Sequence, residues 1–132
     1  MSISNGLAAV SQAMVAQAQR LNLISSNIAN INTVSSSEKG AFKAMLPVFK
    51  TVKIGDAQTV VLSEVIRSKA PSGAMYAPNN PLSDVHGYIY SSNVDRNEMA
   101  ADLVSAQQSF SSDTKVFKTL SELQSDTIKA MK

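Results

Sequence analysis

Leu7, Val10, Met14, Leu21, Ile24, Ile28 and Ile31 fall on alternating steps of three and four, and Gln17 takes the one place in the series without an apolar residue. A repeat held this long excludes a strand and dictates an amphipathic helix with a continuous apolar seam. Ser2, Ser4 or the Asn5-Gly6 pair can cap its start. The helix is expected to end near Asn32, where Thr-Val-Ser-Ser-Ser and then Gly40 break the pattern. Between Met1 and Ser37 the one charged side chain is Arg20. The faces beside the seam carry Ala8, Ala9, Ala13, Ala16, Ala18, Gln12, Gln19, Ser11 and Asn22, where a water-facing helix would carry Lys and Glu. Small and uncharged polar groups suit packing against other protein, because burial costs them little once they are hydrogen-bonded.

Asn27, Asn30 and Asn32 crowd the end of this helix, although asparagine favours caps and turns. Each amide holds a donor and an acceptor, so the three are expected to bridge to neighbouring backbones while Ile28 and Ile31 fill the seam.

A second helical segment begins near Asp95. Asp95 and Glu98 form a capping-box-like pair that also complements the helix dipole. Met99, Leu103, Ala106, Phe110, Phe117 and Leu120 keep the three–four rhythm, Asp113 interrupts it, and Val116, Leu123 and Ile128 widen the stripe. Lys129 and Lys132 are expected in the last turn.

The middle is different. Phe42 to Phe49 contains Pro47, so a strand there is an edge or is interrupted. Thr59 to Ile66, rich in Val and Ile, predicts a strand preceded by a Gly55-Asp56 turn. Ala70 to Gly73 and Pro78 to Leu82 predict loops, and Gly87 to Tyr90 a short strand. The fold class is therefore mainly α with a small β insert. Residues 1–34 and 95–132 form one helical domain, an antiparallel, coiled-coil-like pair, and residues 35–94 form a β-rich insert at one tip.

Composition excludes much. A chain of 132 residues makes one domain with a modest core. Its net charge of +2 is dispersed and gives no footprint for nucleic acid or an anionic membrane. Without cysteine there are no disulfides or thiolate metal sites. His86 is the lone histidine, no serine lies in a nucleophile elbow, and the five glycines form no phosphate loop. Catalytic and metal residues, cofactors and a small-molecule substrate are accordingly expected to be absent. The N-terminus lacks the basic and apolar regions of a cleaved secretory signal.

Ala18-Gln19-Arg20-Leu21-Asn22 followed by Ser26-Asn27-Ile28-Ala29-Asn30-Ile31-Asn32-Thr33 resembles the N-terminal signature of the flagellar axial proteins of rod, hook and junctions. Tyr76-x-Pro78-x-Asn80-Pro81-Leu82-x-Asp84-x-x-Gly87-Tyr88-x-Tyr90-x-x-Asn93-Val94-Asp95 is similar to the stretch typical of the proximal-rod branch of that family. The chain departs from the pattern at Gly40-Ala41-Phe42-Lys43, which lacks a proline common in the family, and at Phe110, where a tyrosine is usual. The resemblance implies a structural subunit of the basal-body rod, exported unfolded through the flagellar type III apparatus and assembled helically in the periplasmic space to transmit torque. Implied partners are copies of itself, other rod proteins and the membrane-ring or adaptor proteins at the base. Expected interface residues are Leu7, Val10, Met14, Leu21, Ile24, Asn27, Ile28, Asn30, Ile31 and Asn32 on the first helix and Met99, Leu103, Ala106, Phe110, Phe117 and Leu120 on the second. Asn80, Pro81, Leu82, Tyr88 and Tyr90 are the expected contacts of the insert. Rival readings are a different rod component, or a type III-secreted coiled-coil effector or translocon protein.

Overall fold

A computed structural model describes residues 2–132; Met1, the first residue of the expected N-terminal segment, lies outside them. Two long helices, α1 (Ile3–Ala29) and α2 (Arg96–Ala130), enclose five strands in the sequence: β1 (Val34–Ser35), β2 (Met45–Ile54), β3 (Ala57–Arg67), β4 (Ala74–Tyr76) and β5 (Tyr88–Ser91). β2 and β3 form a two-stranded sheet, and β1, β5 and β4 form an antiparallel sheet in that spatial order, with Val34 opposite Ser91 and Met75 opposite Ile89. The chain divides into two compact units. One contains the N-terminal segment through Leu21, Pro47–Glu64 and Val104–Lys132; the other contains Asn22–Leu46 and Val65–Leu103.

In the first unit, Ser2 caps α1 by accepting the Asn5 N–H at 3.1 Å. The fully buried side chains here are small: Ala9 and Ala16 of α1, Ala57 and Thr59 of β3, and Ala106 of α2. Ala57 and Thr59 share one face of β3, as the two-residue period requires. Thr59 Oγ1 donates to the Ala9 carbonyl at 2.6 Å, so β3 lies directly on the α1 backbone. At the hairpin turn Gly55 has φ +60° and Asp56 a negative φ, the signs of a type II′ connection. A Cβ on Gly55 would stand 2.2 Å from the Asn5 amide, whose Nδ2 donates to Asp56 Oδ1 at 3.1 Å. The placement of the whole insert at one tip is thereby corrected, because the hairpin turn packs on the first turn of α1.

In the second unit, Asn27 is the largest side chain buried almost completely, at 1% exposure. Its Nδ2 donates to the Met45 carbonyl at 2.9 Å while its Oδ1 accepts the Met45 N–H at 2.8 Å. One amide thus imitates a strand neighbour at the first residue of β2, with Met99 Sδ 3.6 Å away. Ile24, Ala41, Ala44, Ile89 and Met99 complete the buried set. Asn93 acts similarly: its Oδ1 accepts the Ala44 N–H at 2.7 Å and its Nδ2 donates to the Ala70 carbonyl at 2.8 Å. Lys43 Nζ ties Glu38, at 2.6 Å, to Ser72 Oγ, at 2.9 Å. Asp84 organises the loop before β5. Its Oδ1 accepts the N–H groups of His86 and Tyr88, both at 2.9 Å, and its Oδ2 accepts the Tyr90 hydroxyl at 3.3 Å. Gly87 follows at φ +84°, where a Cβ would meet Tyr76 Cε2 at 2.8 Å. Tyr76 and Tyr88 meet edge to face at 5.3 Å.

Several boundaries differ from the sequence reading. α1 ends at Ala29 rather than near Asn32, since Asn30 Nδ2 turns back to the Ser26 carbonyl at 2.9 Å and closes the last turn. β2 runs through Pro47 as an edge strand, the first of the two expected outcomes, but it starts at Met45 and extends to Ile54 rather than spanning Phe42 to Phe49. α2 begins where Asp95 Oδ1 accepts the Glu98 N–H at 3.0 Å, and it ends at Ala130, leaving Lys132 beyond the last turn.

Asn27→Ala removes the partners of the Met45 N–H and C=O at a part-buried place, so unfolding in urea should show a loss of about 2–6 kcal/mol, at about 1–3 kcal/mol for each unsatisfied group. For Asp84, the Tyr88 N–H above all, helped by the His86 N–H and the Tyr90 hydroxyl, holds the carboxyl below its usual range against a smaller opposing effect of desolvation. A depressed folded value contributes order above the unfolded carboxylate range, near about 4, and loses it as pH falls through the lower folded value. Amide NMR of Tyr88 and His86 should therefore remain native-like at about pH 5, above that range, and broaden or shift only in stronger acid. Loss of those signals already in such mild acid would contradict the assignment.

Candidate functional site

The two terminal helices expose what a self-contained protein would bury. On α1 the residues fully enclosed by the chain are Gly6, Ala9, Ala16, Ile24 and Asn27. They lie mostly one position before the apolar seam, a rotation of about 100° around the helix. Leu7, Val10, Met14, Leu21 and Ile31 are therefore half-buried, and Ile28 is 41% exposed. The enclosed face is mostly small residues with Ile24 among them, the apolar seam beside it is half-buried, and the exposed positions carry Ser11, Gln12, Gln19, Asn22 and Ser25 with Val15 and Ile28.

The three asparagines separate. Asn27 has both ends of its amide engaged within the chain and is sealed from a neighbour, so it does not itself bridge to another subunit. Asn30 caps α1, and its Oδ1 accepts the Thr33 hydroxyl at 3.2 Å. Asn32 is exposed. A helix-terminal asparagine can serve either its own chain or a partner, and the sequence carries no mark of which; the pairing of Asn27 with Met45 depends on contact between residues 18 apart.

On α2, Met99 and Ala106 are buried, Leu103, Phe110 and Leu120 half-buried, and Phe117 exposed. Val116, Leu123, Ile128 and Met131 are exposed as well, so the stripe continues into solvent along the second half of the helix. An open groove of about 390 Å³ on the last turns is lined by Ser121, Gln124, Ile128, Lys129 and Lys132, and carries no nucleophile with an adjacent base. On the insert, Leu82 and Tyr88 are exposed beside Met75, Tyr76 and a 94% exposed Val85. Pro81 is exposed too, and Asn80 is half-buried and bends the loop by accepting the Leu82 N–H at 2.8 Å. Tyr90 is half-buried with its hydroxyl on Asp84. Sequence reasoning missed Val85 and Met75, since an isolated apolar residue in a loop or a three-residue strand carries no periodic signal.

Among the described residues no group of three or more His, Cys, Asp or Glu is placed to hold a metal ion. Among them, too, no helix is long and apolar enough to cross a membrane.

Residues 7–34 match the protein family described as flagella basal body rod protein, and residues 85–130 match the C-terminal family of flagellar basal body rod FlgEFG proteins. The flagellar basal-body rod protein FlgC of Escherichia coli O6:H1 is 34% identical over 118 residues, 88% of each chain. FlgC of Yersinia enterocolitica is 31% identical over 130 residues, 97% of each chain. FlgC of Aquifex aeolicus is 30% identical over 134 residues, 100% of this chain and 99% of its own. The two terminal matches fall on the helices that expose apolar stripes, and the relatives extend the likeness through the insert between them: the chain belongs to the FlgC family of flagellar basal-body rod proteins.

Proposed function

We infer that the chain is a structural, non-catalytic subunit of the flagellar basal-body rod, and that it works by burying its exposed helix stripes against neighbouring subunits. The observation that carries this reading is the apolar seam of α1, half-buried at Leu7, Val10, Met14, Leu21 and Ile31 and exposed at Ile28, on a helix whose one charge is Arg20. Full burial of each leucine or isoleucine contributes roughly 1.5–3 kcal/mol, so completing the burial of such a row supports a tightly held interface. A single heterologous contact repeated between subunits generates a helical rod, and dense packing gives it torsional stiffness for transmitting torque.

In this proposal residues 1–34 and 95–132 form one axial domain in which α1 and α2 run antiparallel. The 3.6 Å contact of Asn27 Nδ2 with Met99 Sδ supports the pairing, because it brings the end of α1 beside the start of α2. Leu7, Val10, Met14, Leu21, Ile28, Ile31, Asn32, Leu103, Phe110, Phe117 and Leu120 make the subunit contacts, and Ile24, Asn27, Asn30, Met99 and Ala106 hold the helices that present them. Residues 35–94 form the insert, with Asn80, Pro81, Leu82, Tyr88 and Tyr90 reaching adjoining rod subunits. The chain passes through the flagellar type III export apparatus without signal cleavage and assembles in the periplasmic space, above ring or adaptor proteins at the base. Before assembly the outer turns of both helices are mobile, because isolated helices with unburied stripes are marginal in water.

Two measurements test this. Ile28→Asp places a charge on an exposed position, so the purified variant should keep the wild-type melting temperature to within a few degrees while its cells lose motility and hook–basal bodies; swimming at the wild-type rate would sink the interface assignment. Amide exchange on the purified monomer should show fast exchange over the last three turns of α2 and slow exchange around Asn27 and Met45. Uniform strong protection along α2 would contradict ordering on assembly.

A further inference from the structure

Asp113 stands on the α2 seam between Phe110 and Phe117, where the heptad rhythm calls for an apolar residue. Three other carboxylates are engaged within the fold, Glu38 on Lys43, Asp84 in the loop before β5 and Asp95 at the start of α2, whereas Glu64, Glu122 and Asp126 are exposed to solvent. Asp113 is partly covered, yet it makes no hydrogen bond or ion pair among the described residues. Desolvation raises its carboxyl above the usual range, and no partner acts in the opposite direction. The stripe around it, with Val116, Phe117, Leu123 and Ile128, remains open to solvent.

A surface that covers this stripe must also cover Asp113. Burying an unpaired carboxylate is strongly unfavourable, whereas a carboxylate met by a cation at an otherwise apolar seam fixes register and partner. We propose that Asp113 is the specificity-determining residue of the exposed α2 stripe, and that it accepts an ion pair from a lysine or arginine projecting from an apolar helix face of the adjoining rod subunit. This rests on the rod-subunit reading and adds the chemistry of the partner. A wholly hydrophobic or an acidic helix would fail at Asp113, so the residue rejects wrong neighbours as well as selecting the right one.

The test compares wild type, Asp113→Glu, Asp113→Leu and Asp113→Lys expressed in cells lacking the native chain, with recovery of each in purified hook–basal bodies. Circular dichroism and melting of the purified proteins monitor folding. Wild type and Asp113→Glu should be recovered, Asp113→Leu should fall about tenfold, and Asp113→Lys should be lost. Motile suppressors of Asp113→Lys should replace a basic residue of a rod subunit by a neutral or acidic one. Recovery of folded Asp113→Lys or Asp113→Leu at the wild-type level, or suppressors confined to apolar packing residues, would overturn the ion pair while leaving the rod reading standing. Failure to recover the wild-type chain itself would overturn the rod reading instead.

Discussion

The close approach of the β3 strand to the α1 backbone is the contact on which the rest of the structure turns. Thr59 reaches a carbonyl in the middle of a helix at 2.6 Å, and this is possible because the residues around the contact, Ala9, Ala16 and Ala57, have no bulk to hold the two apart. Where alanines occupy the interior, Leu7, Val10 and Met14 are left half-buried beside it, whereas in the other unit Ile24 is itself enclosed. Small inward residues and a half-open seam are therefore one feature of the first unit seen from two sides.

The period of both helices was legible in the sequence, and their phase was not. A three–four rhythm reports how often a helix returns to a face, and both the Leu7–Ile31 series and the Gly6, Ala9, Ala16 series satisfy it. Hydrophobicity ranks leucine above alanine and so marks the seam for burial, without saying how much of it its own chain covers. What decides the matter is backbone proximity, a tertiary quantity that alanine permits and leucine forbids. The β region shows a similar split. Gly55-Asp56 and the Val60–Ile66 run were readable because turn chemistry and β-branching are local. β1 and β4, with two and three residues, hold no pattern and are defined by their partners in β5. Val85 in its loop and Met75 in β4 escaped for the same reason.

Asn27 and Ile28 show how finely the two faces are divided. They are consecutive, yet Asn27 is 1% exposed and Ile28 41%. The polar residue is inside because its amide presents a donor and an acceptor in the spacing of a peptide group, which closes the free end of β2 at Met45. An apolar residue there would leave two backbone groups without partners, and the cost of those groups exceeds the transfer energy that its methyls would contribute. The apolar residue is outside because the chain has nothing left with which to cover it.

This division also explains how one short chain can be both self-folding and unfinished. A core made mostly of alanines, with Ile24, Ile89 and Met99 as its large apolar members, gains modestly from the hydrophobic effect, at about 0.8 kcal/mol for each buried methylene. Directed hydrogen bonds from Thr59, Asn27 and Asn93 supply the geometry that greasy packing supplies elsewhere. Such bonds define a unique arrangement while contributing only about 1 kcal/mol each to stability. The larger reserve of apolar burial lies on the outer stripes of α1 and α2, where only another protein can release it. In the proposed rod, covering that reserve adds to the stability of the folded subunit by mass action, so association and folding reinforce each other.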